Sequence, residues 1–193
     1  WAFFQDCCRN DPNYAPLWNA LYVTDMLNSV YNGSSHLPNK LIYFAGSAYP
    51  WFCIVGVPDV NSDCLYSEGA TPVPYPQYYA FQLLASSAYL GLQGGGYMAK
   101  SISTPTGGGG LATTAFYTAT QDALVIINPT PTAYPAISVT FAHSGLADTQ
   151  GTLYTIQNGA QINATNISFA TQGTSRSTTI AVPPYSVQAI SLK

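Results

Sequence analysis

The sequence predicts an α+β chain in two parts, an α/β segment over 1–95 followed by an antiparallel β-sandwich over 96–193. Two observations carry this division. Before Gly96, apolar residues recur twice at the three-to-four spacing of a buried helix face, around an unbroken apolar run, Leu41-Ile42-Tyr43-Phe44-Ala45. After Gly96 the texture becomes short alternating runs separated by turn residues. A hydrophobic content of 47% over 193 residues is ample for a packed core.

Trp1 to Asn10 reads as an aromatic loop carrying Cys7 and Cys8. Asp11-Pro12 then offers an N-cap and a proline at the first helical position, although Pro16 allows a start between Asn13 and Pro16. The helix runs to about Tyr31. Leu17, Ala20, Leu21, Thr24, Met26, Leu27 and Val30 form its apolar face, and Asn32-Gly33 supplies a left-handed stop. Lys40 to Gly46 follows as a strand buried on both faces, as in a parallel sheet. Past its end, Ala48-Tyr49-Pro50-Trp51-Phe52-Cys53 crowds aromatic rings at the edge where α/β barrels and open parallel sheets place their ligand sites. After the proline-rich stretch Thr71 to Pro76, a second helix is expected over Gln77 to Leu92. Its stripe is Tyr78, Phe81, Leu84, Ala85, Ala88 and Tyr89, and Gly91 with Gly94-Gly95-Gly96 ends it. Helix, strand, long loop and helix make half of a β/α repeat, which cannot bury its strand without further strands beside it.

In the second part, candidate strands are Tyr97–Ile102, Thr113–Thr120, Ala123–Asn128, Ile137–Ala142, Thr152–Gln157, Ser168–Thr171, Ser177–Val182 and Ser186–Leu192. Short strands at this spacing predict two antiparallel sheets sharing one core. Asn128-Pro129-Thr130-Pro131 reads as a turn. The glycines from Gly107 to Gly110 read as a flexible hairpin, because no helix and no Lys-Ser/Thr pair follows them as in a phosphate loop.

Charge is scarce. Asp, Glu, Lys and Arg are 7% of the chain and the formal net charge is -3, so no basic patch exists to neutralise a run of phosphates. Nucleic acid is therefore excluded as the expected partner. The 15 tyrosines and the abundance of Gly, Ser, Thr and Asn match secreted proteins that handle neutral polymers such as sugars. Every apolar run is broken well short of a membrane span. Cys7, Cys8, Cys53 and Cys64 lack zinc-site spacing, so neither metal nor cofactor is expected. A disulfide framework in an extracytoplasmic setting is the expectation, with Cys53 to Cys64, a Cys7 to Cys8 bridge and cross-pairings all open, beside buried reduced thiols. Asn32, Asn163 and Asn166 stand in N-glycosylation triplets. Trp1-Ala2-Phe3-Phe4 opens abruptly on apolar residues, as if a strand or core segment had been cut from something longer.

These pieces, in this order, resemble retaining glycoside hydrolases with a (β/α)8 catalytic barrel and a C-terminal β-sandwich. Val182-Pro183-Pro184-Tyr185-Ser186-Val187-Gln188-Ala189-Ile190 looks like the last strand of that sandwich, Pro183-Pro184 forming the bend and Ser186 opening the closing strand. Pro16 to Leu27 looks like the seventh barrel helix, Lys40 to Gly46 like the eighth strand, and Pro76-Gln77-Tyr78-Tyr79-Ala80-Phe81 like the eighth helix. The resemblance implies a partial barrel, its last helix, strand and helix, ahead of the sandwich.

It also implies an absence. Retaining glycosidases need two carboxyl groups facing each other across the sugar. In the resembled enzymes these end strands four and seven, and no position of this chain matches either. Glu68, the single glutamate, lies in Ser67-Glu68-Gly69 without a matching motif, so no catalytic residue carries over. The resemblance does imply one wall of a carbohydrate site. Trp51 is the first candidate for stacking on a sugar, then Tyr49, then Trp1, and packing of the barrel mouth is the competing role for all three. The expected partners are a carbohydrate and the remainder of a barrel upstream of Trp1. A non-catalytic carbohydrate-binding or adhesion module, and a structural surface or filament protein, are the other classes the composition admits.

Overall fold

The computed structural model describes residues 55–56, 73–74, 76–91, 97–99, 110–142, 144–158 and 161–193. The expected first helix, the strand at Lys40 to Gly46 and most of the aromatic loop lie outside them. A short antiparallel pair comes first, β1 (Val55–Gly56) with β2 (Val73–Pro74), and β2 leads into helix α1 (Pro76–Ala85). The strands that follow are β3 (Tyr97–Ala99), β4 (Ala112–Tyr117), β5 (Asp122–Asn128), β6 (Tyr134–Phe141) and β7 (Gln150–Gln157). β8 (Asn163–Ser168), β9 (Ala170–Gln172), β10 (Ser175–Val182) and β11 (Ser186–Leu192) complete them.

The described residues form an antiparallel β-sandwich with one helix on its outer side. The six-stranded sheet runs β3-β4-β5-β11-β7-β8 and the three-stranded sheet β6-β10-β9. The chain changes sheet four times in this stretch, after β5, after β6, at Phe169 between β8 and β9, and at Pro183 to Tyr185 between β10 and β11. Strand alternation then sorts the larger sheet into two buried faces. One face sends Leu124, Ile126, Ile190, Leu192 and Leu153 against Val139, Ile180, Val182 and Phe169 of the sandwich interior. The opposite face sends Phe116, Ala123, Val125, Ile127, Val187, Ala189, Tyr154 and Ile156 against Ala80, Leu83, Leu84 and Leu90. The larger sheet is thus the middle of three layers. β11 is buried at every position, which explains why Ser186 to Leu192 carries apolar residues on both faces.

Helix α1 is shorter than the periodicity predicts and buries a different face. It ends at Ala85, because the Ser86 hydroxyl accepts from the Ala88 backbone N–H at 3.3 Å and draws the chain into a turn. Leu90 N–H then donates to the Leu83 carbonyl at 3.2 Å, and Gly91 closes the turn at φ +63°, a left-handed conformation suited to glycine. Ala80, Leu83 and Leu84, at the i, i+3, i+4 spacing, meet the sheet, whereas Ala85 and Ala88 are exposed and Tyr78 and Phe81 half-buried. Ala80, small at the contact, lets the helix lie close to the sheet.

The expected strand Ser168–Thr171 is instead the junction of two strands. Asn163 to Ser168 pairs with β7, and Ala170 to Gln172 pairs with β10 in the other sheet. Phe169 between them is buried and donates its backbone N–H to the Thr149 carbonyl at 2.8 Å. The β9–β10 hairpin turns at Gly173, φ +59°. In the small sheet, Pro135 and Ala136 stand opposite the single residue Ala181 where the β6–β10 register shifts, a β-bulge at an edge.

Candidate functional site

The aromatic stretch Tyr49 to Cys53 runs into β1 two residues after Cys53. There Val55 pairs with Pro74 and Gly56 with Val73, so β1 and β2 draw together the ends of the intervening segment that carries Cys64 and Glu68. β2 then enters α1 through Tyr75. The β1–β2 pair thus stands next in sequence to the helix that sits on the sandwich. Trp51, Tyr49, Trp1, Cys7, Cys8, Cys53, Cys64 and Asn32 themselves lie outside the described residues. Asn163 and Asn166 lie on β8 with both side chains exposed.

Tyrosines rim the core between α1 and the larger sheet, a feature the sequence reading missed. Tyr89 and Tyr154 meet edge to face, with ring centroids 5.3 Å apart and planes at 87°. Tyr78 and Tyr79 pair similarly at 5.6 Å and 78°. Tyr79, Tyr89 and Tyr185 are partly exposed and pack against the same core. Tyr89 at the helix stop and Tyr185 after two prolines are separated by most of the sandwich sequence, so only the fold brings them to one core.

The bend before β11 is held by a network of hydrogen bonds. Prolines 183 and 184 have no N–H to donate, and their carbonyls accept from side chains. The Pro183 carbonyl accepts from Asn128 Nδ2 at 2.8 Å and from Ser186 Oγ at 2.7 Å. The Pro184 carbonyl accepts from Gln157 Nε2 at 3.4 Å, and Tyr185 N–H donates to the Thr130 carbonyl at 3.1 Å. Tyr185 takes φ +46°, an uncommon value for a tyrosine, held by these contacts. Asn128 is the hub. Fully buried, it also donates Nδ2 to the Thr132 carbonyl at 2.7 Å and accepts at Oδ1 from Thr130 N–H at 3.1 Å and Thr130 Oγ1 at 2.8 Å. The Asn128-Pro129-Thr130-Pro131 turn and the Pro183-Pro184 bend are one hydrogen-bonded unit.

Arg176 supplies the second clamp. The guanidinium is buried and every partner is a backbone carbonyl: Nη2 to Leu146 at 2.7 Å, Nε to Asp148 at 3.3 Å, Nη1 to Gly173 at 3.1 Å and to Ser175 at 3.2 Å. It pins the loop before β7 to the β9–β10 hairpin. Its role is architectural.

The described residues hold two carboxylates, Asp122 and Asp148. Asp122 is buried at the first position of β5, with Oδ2 unpartnered, and Asp148 is exposed in the loop that Arg176 grips. Neither is on the rim of tyrosines. Among the described residues no three of His, Cys, Asp and Glu converge, and no helix is long and apolar enough to cross a membrane. The arrangement offers aromatic faces and neutral hydrogen-bonding groups, without a described acid and base pair.

No protein-family model matches the sequence, and no curated protein sequence matches it either. Solved structures do match in fold. A GH30 endoxylanase from Clostridium papyrosolvens C71 aligns over 95% of this chain and 39% of its own, with a TM-score of 0.55 and 14% identity. A glycoside hydrolase family 30 subfamily 8 xylanase from Clostridium acetobutylicum aligns over 94% of this chain and 39% of its own, at 0.55 and 13% identity. A GH51 alpha-L-arabinofuranosidase from Thermotoga petrophila RKU-1 aligns over 96% and 40%, at 0.51 and 14% identity. At such identities the likeness is one of fold, and the chain spans about two fifths of the length of these structures. The sandwich and its preceding helix thus have the fold found within glycoside hydrolases, in keeping with the resemblance carried by Pro183-Pro184-Tyr185-Ser186-Val187.

Proposed function

We propose that this chain is the C-terminal part of a secreted retaining glycoside hydrolase that acts on a plant or microbial polysaccharide. The sandwich over 96–193 is its accessory domain, and 1–95 the end of a (β/α)8 barrel. The carrying observation is the fold likeness over 95% of the chain to a GH30 endoxylanase, in which the aligned part is 39% of the whole. Chemistry supports the same division of labour: retaining hydrolysis needs two opposed carboxyl groups, one as acid/base and one as nucleophile. The described Asp122 and Asp148 stand one buried and one in an exposed loop. The catalytic pair then belongs to the remainder of the barrel upstream, and this chain contributes Trp51, with Tyr49 and Trp1, to the sugar-facing wall.

The test compares this chain with a version extended upstream to a whole barrel, on a panel of aryl glycosides. The extended protein is expected to turn over and the 193-residue chain to be inert. Turnover by the short chain would refute the assignment of both carboxylates to the missing part. Inertness of both on every glycoside would refute the hydrolase reading itself.

A second reading, a non-catalytic carbohydrate-binding module, draws on the outer face of the small sheet. Ser138, Thr140 and Thr179 are exposed there, with no charged neighbour on that face among the described residues, and Thr140 and Ser177 hydroxyls lie 3.0 Å apart. Retention of the 193-residue chain on insoluble polysaccharide, abolished by Thr140→Lys and Thr179→Lys, would favour this reading. Free passage through the column would remove it.

A further inference from the structure

Each sheet of the sandwich ends in strands whose outer backbone groups have no strand partner among the described residues, and such edges invite pairing with another chain unless something blunts them. Three of the sandwich's four described edge strands are blunted by ordinary means. β3 and β9 are three residues long, and β6 carries Pro135 within a bulge. β8 is the exception. It runs for six residues, Asn163-Ala164-Thr165-Asn166-Ile167-Ser168, pairs with β7 along its full length, and contains no proline and no charge. Five of its six side chains are exposed. The sequence therefore leaves its longest unmodified edge with none of the usual protection.

That same strand carries two consecutive N-glycosylation triplets, Asn163-Ala164-Thr165 and Asn166-Ile167-Ser168. Asn163 stands opposite Thr155 and Asn166 opposite Thr152. Three residues apart on a strand, their side chains leave from opposite faces of the sheet, so two bulky groups fit without meeting. We infer that Asn163 and Asn166 are N-glycan acceptors and that the glycans are the device that closes the β8 edge against a second copy of this chain. The inference rests on the extracytoplasmic part of the proposed function, since the donor belongs to the secretory pathway. In the transfer, the asparagine side-chain nitrogen bonds to the anomeric carbon of a lipid-diphosphate-linked oligosaccharide. The bond from that carbon to the diphosphate oxygen breaks, the lipid diphosphate leaves, and the amide gives up one proton.

The experiment secretes the full chain from a glycosylating eukaryotic host behind a host signal peptide, so that the native destination does not decide the outcome. Peptides spanning 161–172 are then treated with a glycan-releasing amidase. Conversion of both Asn163 and Asn166 to aspartate is expected; Thr165→Ala should abolish it at Asn163 alone and Ser168→Ala at Asn166 alone. Unmodified asparagine at either position overturns the assignment of that site. For shielding, the double variant T165A/S168A keeps both asparagines and loses both glycans, and should shift from monomer to dimer and larger species in light scattering. T165K/S168A also lacks both glycans but places a charge on the edge, and should return to monomer with an unchanged melting midpoint. A T165A/S168A protein that stays monomeric would overturn the shielding role, and so would T165K/S168A remaining associated. Loss of hydrolase activity elsewhere in the protein leaves these readouts untouched.

Discussion

Gln188 and Ala181 belong to different sheets and are joined by a hydrogen bond: Gln188 Nε2 on β11 donates to the Ala181 carbonyl on β10 at 3.1 Å. The same nitrogen donates to Thr155 Oγ1 at 3.1 Å, while Oε1 has no partner. A buried polar side chain thus links the two sheets of the sandwich. Replacing Gln188 by alanine removes the bridge and opens a cavity, and should cost about 2–4 kcal/mol in denaturant unfolding. Methionine keeps the volume and removes the orphan Oε1, and should cost no more than about 1–2 kcal/mol. Equal losses for the two would show that volume is irrelevant at this position.

Asn128 predicts a pH dependence. Its Nδ2 faces the carbonyls of Thr132 and Pro183, so Asn128→Asp would set a buried carboxylate against two acceptors. Desolvation and those carbonyls favour the neutral acid, raising the folded-state pKa of the new group above its unfolded value. The variant should therefore be weakest at neutral pH, by about 3 kcal/mol or more, and regain stability on acidification through the raised pKa relative to wild type. A pH-independent difference between the two proteins would contradict this arrangement.

Gly151 faces the sandwich interior where no side chain fits. A Cβ there would stand 2.8 Å from Phe169 Cε2 and 2.8 Å from the Ser191 carbonyl, and the second contact is backbone on the neighbouring strand. Gly151→Ala should lower stability by about 1–3 kcal/mol despite alanine's better fit to a strand. Pairing it with Phe169→Leu relieves one of the two contacts, so the double variant should lose less than the sum of the singles. Strict additivity in thermal melts would show that the Phe169 contact yields without cost.

Trp51 is tested in the whole enzyme of the proposed function. As a sugar platform, Trp51→Ala should lower kcat/KM by an amount equivalent to about 1–3 kcal/mol with little change in melting temperature. Stability loss of about 3–5 kcal/mol with normal kinetics per folded molecule would make it a core residue instead.

How much of this was legible in the sequence depends on what each residue has to contact. Ser186 to Leu192 was readable to the residue, because a strand with sheet neighbours on both sides and layers on both faces carries apolar residues on both, Val187 and Ala189 on one and Ile190 and Leu192 on the other. Asn163 to Ser168 was missed for the opposite reason: an edge strand exposed on its faces has no apolar alternation to show. The sequence also placed α1 but not its face, since Tyr78 and Ala80 both offer apolar surface and only docking on the sheet selects Ala80, Leu83 and Leu84. The bend at Pro183 was anticipated, and of the candidate site residues Asn163 and Asn166 alone lie among the described residues, on β8. The Tyr89–Tyr154 contact was not, because the two rings meet only when α1 docks.

The position of β11 has a consequence for synthesis. It is the last of the strands in sequence and the one that joins β5 to β7, with Leu192 opposite both Asp122 and Gly151. A ribosome therefore delivers β3–β5 and β7–β8 as two separate ribbons, each with an unfilled edge, and among the described strands only β11 completes them. The middle of the sheet arrives after its flanks, over a sequence separation of 70 residues in the Gln121 to Ser191 contact. Long-range closure of this kind is slow, and until β11 inserts, the nascent ribbons are substrates for any chaperone that recognises bare β edges.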